Sequence, residues 1–196
     1  MTFELAEEYR MLQELAAKFV DRELMPLEAA VLAREANGQP IALTEQEEAP
    51  LLAKCRELGL WGLDVPEPIG GANLPAVARM GVYEELGRTV TPFTFPPDSP
   101  DLHMLMATAN ERQRKLYLEP YARGEMRSAI AVSEPGAGAD PAGMTTRAVK
   151  DGEHWVINGR KIWISFVKAA DFTIVMALTD PAKKARGGIT AFIVEK

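Results

Sequence analysis

The hydrophobic period changes once along this chain, near Gly124, and that change limits the possible folds more than any other feature. Before it, apolar residues recur at spacings of three and four; after it, they alternate between short turn signals. Leu5, Tyr9, Leu12, Ala16 and Phe19 form one helical stripe, which Pro26 interrupts. Thr44 with Glu47 reads as a capping box opening a helix that Gly59 ends, with Pro50 able to shift its start. A third helix is predicted from Pro75 to Leu86, with Asn73 as a cap and Gly87 as the stop. PFTFPPDSP holds four prolines in nine residues and reads as a connector, because each ring fixes φ and removes a backbone donor. Shorter helices are predicted around Leu102 to Ala109 and Glu111 to Leu118.

Beyond Gly124, six segments read as strands: Ser128 to Ser133, Thr145 to Lys150, Trp155 to Ile157, Arg160 to Ser165, Phe172 to Leu178 and Ile189 to Val194. Asp151-Gly152 and Asn158-Gly159 are dipeptides that supply positive φ at hairpin turns, so three successive strands are expected to form a meander. The expected class is therefore α+β: an all-helical domain over residues 1–124, then an antiparallel β-sheet or barrel over residues 125–196. The last strand abuts the last residue, with nothing after it to cover its edge, so the β-domain reads as C-terminally incomplete.

Charge and composition remove several function classes. With 28 acidic residues against 22 basic ones, the chain lacks the basic surface of a nucleic-acid binder and the polybasic cluster of a membrane anchor. No apolar run approaches the ~20 residues that a spanning helix needs, and MTFELAEEYR has neither the pattern of a secretory signal nor that of a transit peptide. The single cysteine, Cys55, forbids an internal disulfide and fits a reducing compartment, so a cytoplasmic location is expected. His103 and His154 stand far apart in the sequence and offer no metal-ligand spacing.

SEPGAGAD, Ser133 to Asp140, is the densest motif. It fails the dinucleotide fingerprint, because Gly136 and Gly138 are followed by Pro141 where glycine or alanine is required. It also fails the phosphate-loop pattern, since no lysine follows Gly143. Two readings stay open: a tight loop in which glycine and proline only permit a bend, or a backbone that must approach a ligand closely. Trp163 carries a similar pair, as a core residue on an alternating strand or as an aromatic wall.

Six stretches, in order, resemble the flavin-dependent acyl-CoA dehydrogenases: LGLWGLDVPEPIGG, VYEELGR, RKLYLEPYARGE, AVSEPGAGAD, VINGRKIWIS and GGITAFIVE. The resemblance implies an N-terminal helical domain, a middle β-domain and a C-terminal helical bundle that this chain lacks, with FAD as cofactor. It implies that Ile130, Val132 and Ser133 run along the flavin ring, with the Val132 backbone and the Ser133 hydroxyl at its polar edge. Gly138 and Ala139 would pass beneath the pyrophosphate. Trp163, Ile164 and Ser165 would form a second wall, on which strand alternation should put Trp163 and Ser165 on one face. The implied substrate is an acyl-CoA, and the implied electron acceptor is an electron-transfer flavoprotein. A homo-oligomer is expected at full length, with no nucleic acid and no membrane as partner.

Several positions depart from the family pattern. Ala139 replaces the usual serine, the one substrate-contact position assigned, and so removes a hydroxyl expected near phosphate and acyl-CoA. Ser133 and Ser165 replace threonines but keep the hydroxyl, and Pro68-Ile69 replaces a commoner Glu-Tyr. The implied reaction removes an α-proton while a hydride leaves the β-carbon, and its carboxylate base normally sits in the missing bundle. Glu134 should point away from the cofactor, Glu67 lies in a loop, and Glu84-Glu85 read as a helix face with Arg88 as partner, so no catalytic base is assigned. Cys55 reads as core and Lys183 to Arg186 as a solvated loop. Alternatives of other kinds are an acyl-CoA oxidase or flavin monooxygenase on the same fold, or a non-catalytic fragment or partner subunit.

Overall fold

The computed structural model describes residues 5–97 and 101–196, and the chain packs into two compact units, Met1–Asp98 and Ser99–Lys196. In the first, α1 (Glu7–Phe19) opens with Glu7 and Glu8 in its first turn and closes with Lys18 in its last, both matched to the helix dipole. The helical path does not stop at Pro26. It widens into a π turn (Val20–Leu24), tightens into a 3-10 turn (Met25–Leu27) and resumes as α2 (Glu28–Ala36). Pro26 sits at the opening of the tight turn, where the change of helix type lets the path pass a residue that has no amide N–H to donate.

Helix α3 (Glu45–Leu58) begins where its capping box puts it. The Glu47 amide donates to the Thr44 hydroxyl, the Thr44 amide donates back to the Glu47 carboxylate, and Gly59 closes the helix at φ 72°. Pro50 lies inside this helix without ending it. Helix α4 (Ala76–Leu86) follows Pro75 directly, and Asn73, rather than capping it, bends the chain at φ 47°. Their apolar faces enclose Ala16, Phe19, Val20, Leu24, Leu51, Cys55, Leu60, Leu63, Val82 and Phe95. Phe19 meets Phe93 and Phe95 at ring separations of 5.7 and 5.6 Å. Burial raises the Cys55 thiol to about 12, as expected of an inert core cysteine.

The second unit starts with α5 (Leu102–Thr108), then α6 (Glu111–Gln113), a π turn (Arg114–Leu118) and α7 (Glu119–Ala122). Five strands follow: β1 (Ser128–Ala131), β2 (Arg147–Asp151), β3 (His154–Asn158), β4 (Phe172–Leu178) and β5 (Ile189–Glu195). The helices cover one face of the strands, with Tyr121 and Leu118 fully buried and the Tyr121 ring 5.8 Å from Phe172.

The sheet is mixed rather than wholly antiparallel. β4 runs parallel to β1, with Ser128 opposite Phe172, and touches β2 in parallel through Arg147 and Leu178. Antiparallel pairing is confined to β2 with β3 and β4 with β5. The sheet curls, bringing Trp155 of β3 within 5.5 Å of Phe192 of β5, but it does not close into a barrel. Only one turn of the expected meander forms. Gly152, at φ 59°, turns β2 into β3, whereas Arg160–Ser165 is not a strand. Trp163 at φ 56° and Phe166 at φ 61° leave the extended region, and no ladder continues through them.

Candidate functional site

β1 ends next to the non-strand segment that carries Trp163, and a cleft of about 300 Å³ lies between them. Ile130, Val132, Ser133, Trp163, Ile164 and Ser165 all line it, so the structure brings together six of the eight expected cofactor residues. Gly138 and Ala139 do not line it; both are exposed on the neighbouring loop. Trp163 and Ser165 share the cleft through the left-handed kink at Trp163, not through strand alternation.

Trp163 is also not a core residue. The residue is 87% exposed, and Phe166 near it is 64% exposed. A tryptophan held at positive φ and left in water gains nothing from the fold of this unit, and such strain concentrates where a ligand is bound. The cleft thus presents an indole and the apolar side chains of Ile130, Val132 and Ile164, with the hydroxyls of Ser133 and Ser165 among them. The carbonyls of Val132 and Ser133 are already engaged, by the Lys161 ammonium at 3.0 Å and the Ile162 amide at 3.0 Å. The end of β1 therefore offers a visitor donors more than acceptors.

Four further residues line the cleft: Asp101, Ser128, Ala129 and Phe166. Ser128 was within reach of the sequence, because it lies two residues before Ile130 on the same strand. Asp101 carried no such signal. It is buried, accepts a 2.7 Å hydrogen bond from the Ser128 hydroxyl, and its amide donates to the Tyr121 hydroxyl at 3.2 Å.

The SEPGAGAD loop turns back on itself below the cleft. Glu134 and Ala137 exchange backbone bonds of 2.8 and 3.2 Å, and Asp140 accepts from the Ala142 amide to start the next turn. Neither Gly136 nor Gly138 has positive φ, and a Cβ on either would meet nothing within 4 Å. Internal packing does not require glycine there. What the glycines leave is bare backbone open to the outside, a surface suited to close approach by phosphate oxygens.

Glu134 faces inward, away from the cleft. Its carboxylate accepts from the Thr145 amide and hydroxyl, both at 2.6 Å, from the Thr146 amide at 2.9 Å and from Lys161 Nζ at 2.9 Å. Burial opposes its ionisation, but the hydrogen bonds from Thr145, Thr146 and Lys161 outweigh it and hold the carboxyl well below the usual carboxylate range. Among the described residues, no group of three His, Cys, Asp or Glu side chains could hold a metal, and no helix is long and apolar enough to cross a membrane.

Comparison with known proteins bears on both units. The N-terminal domain model of acyl-CoA dehydrogenase matches residues 6–125, and the middle-domain model of the same family matches residues 129–196. This chain belongs to the acyl-CoA dehydrogenase family. It is 41% identical to (R)-benzylsuccinyl-CoA dehydrogenase of Thauera aromatica, over 100% of this chain and 50% of that one. A putative acyl-CoA dehydrogenase from Mycobacterium abscessus superposes with a TM-score of 0.85 at 31% identity, over 98% of this chain and 51% of the other. Glutaryl-CoA dehydrogenase of Mycobacterium smegmatis, solved in complex with FADH2, gives a TM-score of 0.74 at 27% identity, over 97% of this chain and 46% of that one. The chain thus spans about half the length of the relatives it matches.

Proposed function

We propose that this chain forms one wall of the FAD site in an acyl-CoA dehydrogenase that desaturates an acyl-CoA thioester between its α and β carbons. The observation that carries this reading is the cleft between β1 and the Trp163 segment, which an exposed tryptophan at positive φ lines together with two serines. Its volume, about 300 Å³, is at the low end for ligand pockets and suits a flat ring system better than a whole dinucleotide. When bound, FAD supplies the acceptor for the hydride leaving the β-carbon.

The chain's own residues have holding roles. Ser133 and Ser165 would supply hydroxyl donors to a bound flavin, Trp163 would supply an aromatic surface for it, and Ile130, Val132 and Ile164 would exclude water. The open backbone at Gly138 and Ala139 would supply amide donors to the pyrophosphate. Ala139 cannot supply a hydroxyl there, which leaves the CoA phosphates one donor fewer. No catalytic base is assigned: Glu134 is ionised, engaged by four donors and turned away from the cleft. The electron acceptor is an electron-transfer flavoprotein, the full-length protein is a homo-oligomer, and the site of action is the cytoplasm.

The second reading is a non-catalytic fragment or partner subunit, folded but unable to hold FAD without another subunit. Titrating the purified chain with FAD separates the two. Saturable quenching of flavin fluorescence, weakened in Ser133→Ala and Ser165→Ala, is expected; a wild-type chain that leaves FAD fluorescence unchanged rejects the first reading in favour of the second. Oxygen uptake by the reduced flavin would move the assignment to an acyl-CoA oxidase or a flavin monooxygenase.

A further inference from the structure

Lys161 stands just before the wall segment, yet it does not line the cleft. Its side chain is only 11% exposed, and its ammonium reaches two groups at once: the Val132 carbonyl at 3.0 Å and Glu134 Oε1 at 2.9 Å. Glu134, 1% exposed at its side chain, is also tied to Thr145 and Thr146 at the entry to β2. One ammonium therefore joins the end of β1, the turn of SEPGAGAD and the start of the KIWIS segment. Among the described residues, the other bond from that segment to the end of β1 is the Ile162 amide to the Ser133 carbonyl. Beyond Ile162 the backbone twists into positive φ at Trp163 and again at Phe166, a conformation that persists only where neighbours over-determine it.

We propose that Lys161 is a positioning residue: its buried ammonium clamps the Trp163 wall to the end of β1, setting the width of the cleft without touching what occupies it. The inference rests on the reading of that cleft as a flavin site. The clamp itself is a property of the ligand-free chain and can be tested without any ligand. A charge suits this role because a hydrogen bond from an ammonium to a buried carboxylate is stronger than one between neutral groups. A neutral side chain would leave Glu134 buried without its counter-ion.

The test is hydrogen exchange by mass spectrometry on the 196-residue chain, comparing wild type, Lys161→Met and Lys161→Arg. In K161M, the peptide over residues 160–167 should lose protection at its hydrogen-bonded amide, Ile162, which should exchange roughly ten- to a hundredfold faster, the span expected for losing a hydrogen bond to a charged group. Helix α1 should be unchanged, and K161R, which keeps a cation with several donors, should restore much of the protection. Wild-type exchange over 160–167 in K161M overturns the clamp. If K161M does not fold, the double variant E134Q/K161M keeps the test standing, because it leaves no charge buried alone; protection of the wall segment in that variant also overturns the clamp.

FAD titration then separates the clamp from the flavin reading. If wild type binds FAD, K161M should weaken binding about tenfold and reduce the quenching by Trp163, with K161R in between. Unchanged FAD affinity and quenching in a K161M chain with a loosened wall overturns the positioning role. If wild type binds no FAD while K161M still loosens residues 160–167, the flavin reading fails and the clamp stands.

Discussion

The two units are built to different ends. In the first, large apolar side chains fill the interior: Phe19, Leu24, Leu51, Leu60 and Val82 are buried together, and three phenylalanine rings pack within 6 Å of one another. In the second, much of the interior is small, with Ala129, Ala131, Ala148, Ala170 and Ala177 buried, and polar groups such as Ser128, Glu134 and Thr146 are buried with them. It buries the rings of Tyr121 and Phe172 but leaves Trp163, Phe166 and Trp155 at the surface. Apolar area removed from water is the main source of stability. The first unit uses its three clustered phenylalanines for that purpose, while the second, beyond the buried Tyr121 and Phe172, leaves three large aromatics where a ligand or another polypeptide segment can reach them.

The largest effect expected from a single substitution therefore lies in the helical unit. Phe19 is 2% exposed and sits between Phe93 and Phe95, so Phe19→Ala removes a ring from a packed cluster that cannot collapse around the void. It should cost about 3–5 kcal/mol, measured as a lower urea midpoint of unfolding. A loss below about 1 kcal/mol, the range of surface substitutions and mild repacking, would break the contrast by showing that the trio is loosely packed.

An intermediate effect is expected at Glu134, the most heavily bonded polar side chain of the β unit. Glu134→Gln should cost about 2–3 kcal/mol at neutral pH, since it removes charge from several hydrogen bonds at once. The pH dependence follows from the lowered ionisation of this group. Its ionised form stabilises the folded chain fully above the ordinary glutamate range near pH 4.3, and that stability is lost as the pH falls below it toward the depressed native value. Between about pH 5 and pH 2, wild-type exchange protection in β2 should thus fall more steeply than that of E134Q. Parallel slopes for the two proteins would mean that the carboxylate is not ionised in the fold.

Local chemistry was legible in the sequence, and long-range pairing was not. Thr44 with Glu47, and Asp151-Gly152, each act within a few residues, and the structure uses both as expected. Asn158-Gly159 looks the same on paper but forms no hairpin. A Cβ on Gly159 would sit 2.2 Å from the Thr146 hydroxyl, so the glycine there answers close packing rather than φ. The parallel pairing of β1 with β4 joins segments on either side of the whole β2–β3 hairpin, and alternation within either strand says nothing about it. Most of the cleft residues could be named through family resemblance. Asp101 could not, because a helix-start residue reaches the cleft only through the packing of α5 and α7 on the strands. The positive φ at Trp163 was also hidden, since neither tryptophan nor its neighbours signal a left-handed turn.

That kink yields the smallest expected change in stability, together with a selective loss at the site. Trp163→Gly truncates a residue that is 87% exposed, so little buried area is lost. Glycine also adopts positive φ freely, relieving a strain of roughly 1–2 kcal/mol, while its extra freedom in the unfolded chain takes back about 0.5–1 kcal/mol. The net change in unfolding free energy should stay within about 1 kcal/mol, far below that of Phe19→Ala. Flavin binding should nevertheless fall by up to about tenfold, because stacking on an aromatic wall is worth about 0.5–1.5 kcal/mol, and most of the fluorescence quenching should go with it. A large loss of stability in this variant would mean that the indole belongs to the core after all. Unchanged FAD quenching would mean that the ring lies against some other surface, and the contrast between a unit built for packing and a unit built for binding would fail at the residue that expresses it best.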